Sequence, residues 1–369
     1  MLQPAMSPAR PTSAPAAAPA ARGDSTAAPS AHRAHATIHD VARVAGVSVA
    51  SVSRVFNGRD HVRAEMRTRV EEAAAQLGYV PHAGARSLSM ARTGAIGVVL
   101  PDLHGEFFSE LLRGMDREAS TRRLGLLLTV LHDGRGLDTL TALRGQVDGL
   151  VVMAPELDPD VLARHMPRGL AAVFLACAPQ VGSPNLRIDN RAGAAAAVTH
   201  LAAGGAKRLV HISGPAGNLD AQERRAGAEA AAAEAGVALS VIEGDFLEAS
   251  GTKVGERVAA GTLVADAIFA ANDMMAIGAL MALKRHGIAV PEQVAVAGFD
   301  DIPLARLVSP ALTSVAIDIA AMGARAVAQL AARIAGTREE SSGDASTGVD
   351  EVIVPHLMVR ETTRETDRG

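Results

Sequence analysis

The run TIHDVARVAGVSVASVSRVFNG, Thr37 to Gly58, decides how this chain is read. Apolar residues recur at helical spacing on either side of Gly46, which predicts two short helices around a tight turn. Thr37 is placed to N-cap the first helix, and Asp40, three residues on, completes a capping-box pattern. Val41, Ala42 and Ala45 form that helix's apolar face. Ser48 is placed to cap the second helix. There Val52, Val55 and Phe56 fall at i, i+3 and i+4 and face inward, which leaves Val49, Ala50, Ser53 and Arg54 on the opposite stripe. The outward stripe is small and hydroxylated, with one guanidinium reaching beyond its neighbours. Such a helix can enter a major groove, where Arg54 can hold a guanine bidentately and Val49 and Ala50 are small enough to meet bases. Ser48, Ser51 and Ser53 then fall to phosphates, which set register. Periodicity alone leaves an ordinary helical hairpin with a solvated arginine equally open.

The next stretch, RAEMRTRVEEAAAQLGYVPHAGARSL from Arg63 to Leu88, predicts a third helix with Met66, Val70, Ala73 and Leu77 as its stripe and Gly78 as its end. Taken together, these residues resemble the DNA-binding domain of the lactose/galactose-repressor (LacI/GalR) family. The match departs at Arg63 and Met66, where a Ser cap and a Thr are usual, and at His82, which replaces a frequent Asn. The resemblance implies operator contacts at Thr37, Asn57 and His61 besides those on the second helix. It also implies a hinge at residues 81–93 that becomes helical only on DNA. There Ala85 and Arg86 contact the duplex and Leu88 wedges between base steps. That hinge is short and carries Gly84, so it is marginal as an isolated helix.

The net charge of −4 does not point to nucleic acid, but its distribution does. Residues 36–92 carry eight Arg against five Asp and Glu, whereas residues 93–369 carry 25 basic against 34 acidic residues. A mildly basic head on an acidic body fits a DNA-contacting unit. The one cysteine, Cys177, excludes an internal disulfide framework and fits a reducing compartment. It lies in the apolar run AAVFLAC and reads as a small buried hydrophobe. Residues 1–35 form an Ala/Pro-rich, low-complexity tail that reads as disordered, with no compact signal-peptide core. No apolar run is long enough to span a bilayer. These features predict a cytoplasmic protein with no membrane role.

From residue 94 to 369, apolar runs of strand length alternate with helical segments: AIGVVLP, LGLLLTVL, GLVVMAP, AAVFLAC, RLVHISGP, DAIFAAND and VAVAGFDD. Such runs predict parallel sheets covered on both faces, in two α/β units, so the fold class is α/β with an all-α head. Ligands of open parallel sheets bind beyond the strands' carboxyl ends, where Asp102, Asn272, Asp273, Asp300 and Asp301 fall. RIDNRAGAAAAVTHLAAGGAKRLVHISGP, FAANDMMAIGAL and VAVAGFDDIPLARLVSPALTSV resemble the same family, and the periplasmic sugar-binding proteins related to its two-lobed effector domain. The resemblance implies effector contacts at Arg224, Asn272 and Asp300, with Phe107, Phe108 and Phe246 lining the cleft. Arginine and aspartate can share vicinal hydroxyls, an asparagine both donates and accepts, and a ring packs on a sugar's apolar face. One of the adjacent phenylalanines is expected in the core, and Asp273 and Asp301 are expected as helix caps.

No GxGxxG, P-loop or GxSxG motif and no Cys/His cluster at metal spacing is present, so neither enzyme chemistry nor a cofactor is expected. The reading is a cytoplasmic repressor, binding a palindromic operator in double-stranded DNA as a homodimer under control of a small polar effector such as a sugar. A dimer rather than a tetramer is expected, because no leucine-heptad tail follows VRETT. The alternatives are a sugar-binding protein without a DNA role and a regulator responding to a purine or nucleoside.

Overall fold

The computed structural model describes residues 36–56, 62–80, 92–131, 136–178, 182–336 and 350–364. The N-terminal tail, Asn57, His61 and the hinge residues Ala85, Arg86 and Leu88 lie outside the described residues. The chain divides into two compact units, residues 1–81 and 82–369.

The first unit is three helices, α1 (Ile38–Ala45), α2 (Val49–Phe56) and α3 (Ala64–Leu77). The capping box forms as expected: the Asp40 amide donates to Thr37 Oγ1, and the Asp40 carboxylate accepts from the Thr37 amide. Gly46 is left-handed at φ 64°, which lets the chain turn at once into α2. Ser48 Oγ accepts the Ser51 amide at 3.2 Å and so caps α2. Val41, Val52 and Val70, one from each helix, are fully buried in a shared core. The Phe56 and Tyr79 rings close one side of it at 5.8 Å.

Val49 departs from the expected pattern. It packs half-buried against this core rather than standing on the outward stripe. The reason is angular: Val49 lies seven residues before Phe56, and at about 100° per residue seven steps return nearly to the same face. Ala50 and Arg54, at i and i+4, are the residues of α2 that are exposed.

The second unit holds two six-stranded sheets, in the order β11-β5-β4-β3-β1-β2 and β12-β10-β9-β8-β6-β7. The first contains β1 (Ala95–Leu100), β2 (Gly125–Val130), β3 (Gly149–Met153), β4 (Ala171–Leu175), β5 (Asn185–Ile188) and β11 (Glu351–Ile353). The second contains β6 (Arg208–Ser213), β7 (Ala238–Glu243), β8 (Ala267–Ala270), β9 (Ala295–Asp300), β10 (Thr313–Ala316) and β12 (His356–Met358). All pairings are parallel except β10 with β12.

The central strands β3, β8 and β9 are buried along their whole length, as strands covered on both faces must be. The edge strands β2 and β7 are only partly covered. Helices α4 (Glu106–Thr121) and α11 (Ile319–Gly336) pack together on the first sheet's lobe, which also carries the short helices α5 (Leu137–Ala142) and α6 (Pro159–His165). Helices α7 (Asn190–Ala203), α8 (Leu219–Glu234), α9 (Glu248–Ala259) and α10 (Asp273–Arg285) flank the second. The chain passes between lobes three times, from β5 to α7, from β10 to α11 and from β11 to β12. Arg92 and Thr93, the last residues of the stretch read as hinge, are bonded to this unit through Ile334 O and Asp148.

Candidate functional site

Strand ends on both lobes open onto one cavity of about 540 Å³. Phe107 and Phe108 reach it from the start of α4 in the first lobe. Arg224 on α8, Phe246 before α9, Asn272 before α10 and Asp300 at the end of β9 reach it from the second. All six candidate effector residues therefore share one wall system. Phe107 and Phe108 are both half-buried and meet edge to face at 5.3 Å, so neither withdraws into the core. Phe246 is held at φ 66°, and its ring lies so close over Gly214 that a side chain there would collide with it. Only glycine permits that approach.

The floor is a buried polar network. Arg224 Nε donates to Asn190 Oδ1 at 2.8 Å, and Nη1 donates to the Ala271 carbonyl. Its guanidinium lies 3.8 Å above the Phe299 ring. Nη1 is 3.3 Å from Asp300 Oδ1, an ion pair by distance, yet that oxygen accepts no well-formed hydrogen bond. Burial pushes the Asp300 carboxyl up to about 7, against the lowering effect of Arg224 and with a further push from Asp220. Asp220 is likewise raised by burial and accepts from Asn190 Nδ2 at 2.8 Å. Asp300 is a non-glycine residue at φ 107°, a backbone cost that structures retain where a side chain must be aimed.

Three expectations change here. Asn272, read as donor and acceptor to a ligand, already spends one N–H on the Phe246 carbonyl and accepts the Met275 amide as the cap of α10. Asp273 is therefore not that cap. It is fully buried and takes the Ile302 amide and the Ser314 hydroxyl, with burial and the Asp300 charge holding its carboxyl well above the usual range. Asp301 is not a cap either, and pairs with Arg360 at 2.6 Å. Asp273 and Asp301 each find a tertiary partner, because a desolvated charge left unpaired is costly.

Asp220, which lines the cavity, and Asn190, which bonds Asp220 and Arg224 behind it, are residues that sequence reasoning missed. One signal was present: Asp220 and Arg224 stand four apart after the cap Asn218, on one face of a helix start. Cys177 is buried with its thiol pushed up to about 12, and His211 is buried with its ring pushed down to about 4, so neither offers chemistry to the cleft. Among the described residues, no cluster of His, Cys, Asp and Glu could hold a metal ion. No described helix is long and apolar enough to cross a membrane.

Comparison with known proteins agrees with both units. Residues 37–82 match the model for bacterial regulatory proteins of the lacI family, and residues 198–363 match a periplasmic binding protein-like domain. The ribose operon repressor of Halalkalibacterium halodurans is 33% identical over 333 residues, covering 89% of this chain and 97% of its own. The chain belongs to the LacI family. This LacI-family regulator is also 33% identical over 289 residues to the HTH-type transcriptional repressor CytR of Escherichia coli K12, covering 76% of this chain and 84% of the relative. Among solved structures, the lac repressor dimer bound to operator and the anti-inducer ONPF superposes with a TM-score of 0.78 at 26% identity, covering 89% and 98% of the two chains. A LacI-family chain of this architecture is a DNA-binding transcriptional regulator.

Proposed function

We propose that the protein is a repressor that binds a palindromic operator as a homodimer and is controlled by a small polyhydroxyl effector seated in the cleft. The observation that carries this reading is the convergence of Phe107, Phe108, Arg224, Phe246, Asn272 and Asp300, nearly 200 residues apart in sequence, on one cavity. Two phenylalanines come from one lobe and the polar groups from the other, so a bound molecule touches both. A ligand with different affinity for two lobe arrangements shifts the balance between them. The three strand and helix crossovers make the lobes able to move about a few residues.

On DNA, Arg54 reads a base edge from the exposed face of α2, Ala50 lets that face approach, Ser48, Ser51 and Ser53 hold phosphates, and Thr37 adds a contact. Asn57, His61, Ala85 and Arg86 add contacts, and Leu88 wedges into the minor groove. The protein acts in the cytoplasm, where its operator is. Selection of binding sites from random duplex DNA, followed by release titrations with a panel of sugars, tests the reading. Recovery of asymmetric sites removes the twofold dimer. Substitution Leu88→Ala is expected to weaken operator binding and leave effector affinity of the free protein as it was.

A further inference from the structure

The charge around the cleft is one-sided. Asp102, Glu156 and Asp245 stand exposed at its mouth, and Asp220 and Asp300 lie buried at its floor. Against these five carboxyl groups the cavity lining offers one guanidinium, Arg224, and one imidazole, His104. Both already have acidic or carbonyl partners, which offset their attraction for an anion. Arg224 is committed to Asn190, the Ala271 carbonyl, the Phe299 ring and Asp300. His104 Nε2 lies 3.4 Å from the Glu248 carboxylate.

Backbone dipoles, the other common means of holding a phosphate, are offset as well. Four helices start at the cleft wall, at the cap positions Gly105, Asn218, Leu247 and Asn272. A helix start carries partial positive charge and unpaired amides, which makes it an anion site by default. Here each of the four has an acid in its own first turn: Glu106, Asp220, Glu248 and Asp273. Glu106 also takes the amide of Leu304 from the second lobe. Meanwhile Asp300, about nineteen-twentieths buried, lines the cavity, and its Oδ1 accepts no hydrogen bond although Arg224 Nη1 lies 3.3 Å away. A carboxyl group with unmet acceptor capacity at the cavity wall favours a ligand that brings donors over one that brings more acceptors.

We infer that the cleft selects its ligand by charge: it takes an uncharged ligand and rejects phosphate esters of the same ligand. A phosphate brings acceptors and negative charge to a site that is already supplied with both. This inference rests on the effector reading of the cleft and adds the charge class of the effector to it.

The test uses the full chain on its selected operator and a panel of free mono- and disaccharides, each paired with its phosphate ester. Binding is read by calorimetry and release by fluorescence anisotropy. Among pairs in which the free sugar binds, the ester is expected to bind at least about 100-fold more weakly, the scale set by like charges brought together in a desolvated site. In the triple variant Asp102→Asn, Glu156→Gln, Asp245→Asn that ratio should narrow to about 10-fold, since the mouth charge is part of the barrier. An ester that binds as tightly as its parent sugar, or a panel in which only esters bind, overturns the inference and leaves effector control standing. An unchanged ratio in the triple variant overturns it too, because rejection would then be steric. Failure of every member, free or phosphorylated, to bind or release DNA overturns the effector reading itself.

Discussion

Replacing Arg224 by methionine keeps most of the buried stem and removes the guanidinium from the cleft floor. The loss leaves Asn190 Oδ1 and the Ala271 carbonyl without their donors, at about 1–3 kcal/mol each. The contact with the Phe299 ring, 3.8 Å away, is worth about 2 kcal/mol when desolvated, and a thioether recovers about half of that. Removing one partner of a buried ion pair costs about 3–5 kcal/mol, a figure that already contains much of the hydrogen-bond loss. The remaining charge does not stay unpaired at neutral pH, because Asp300, already at about 7, takes up a proton when Arg224 leaves. The expected loss is therefore about 3–5 kcal/mol near pH 7, toward the lower end below it.

The pH dependence carries the sign. Asp300 moves from an ordinary 3.8 to about 7 on folding, so the native state holds a proton that the unfolded chain releases. Its contribution to stability is greatest below the unfolded value and declines as pH rises through the window up to about 7. Arg224 lowers the Asp300 value, so its removal pushes that value higher and extends the decline to more alkaline pH. Relative to wild type, Arg224→Met should lose more stability at about pH 9 than at about pH 6. Adding Asp300→Asn should recover stability, most at the higher pH. Urea unfolding followed by far-UV circular dichroism measures this, since the chain has no tryptophan to report. A loss under about 1 kcal/mol at both pH values, or one that Asp300→Asn does nothing to relieve, refutes an electrostatic role for the pair.

Gly214→Ala should displace the Phe246 ring from the cleft wall and weaken effector binding about 10-fold or more, with operator affinity of the free protein retained; calorimetry and anisotropy separate the two. Arg54→Ala should cost about 1–3 kcal/mol in operator binding and much less on random DNA; equal losses on both would make Arg54 a phosphate contact. Thr37→Ala breaks the capping box of α1 and should destabilise the isolated-unit transition of the head by about 0.5–2 kcal/mol, seen as a lower midpoint for the helical signal of that unit.

Local chemistry was legible in the sequence. The capping box at Thr37 and Asp40, the left-handed turn at Gly46 and the buried runs of β3, β8 and β9 each depend on residues within a few positions of one another. Periodicity and cap preference act over that range, so pattern alone finds them. Val49 is the exception within that range: Phe56, seven residues on, returns to nearly the same face, so Val49 packs toward the core. Strands β5 and β7 were harder to see, being short or only half covered, with weak apolar runs.

What only the tertiary structure decided is depth and partnership. Nothing local distinguishes Asp273 from Asp300, yet one is sealed against Ile302 and Ser314 while the other opens onto the cleft. Asp220 came to line the cavity with Asn190 behind it because the chain crosses from β5 into α7 beside the start of α8, a meeting of segments about 30 residues apart. The charge balance of the cleft likewise exists only after folding, when four helix starts and five carboxyl groups arrive at one wall from both lobes. Sequence specifies which side chains can ionise, cap or stack, since those are properties of the residue and its near neighbours. Which of them face each other, and in how much water, is set by sheet order and crossovers, and these join residues that no local pattern connects.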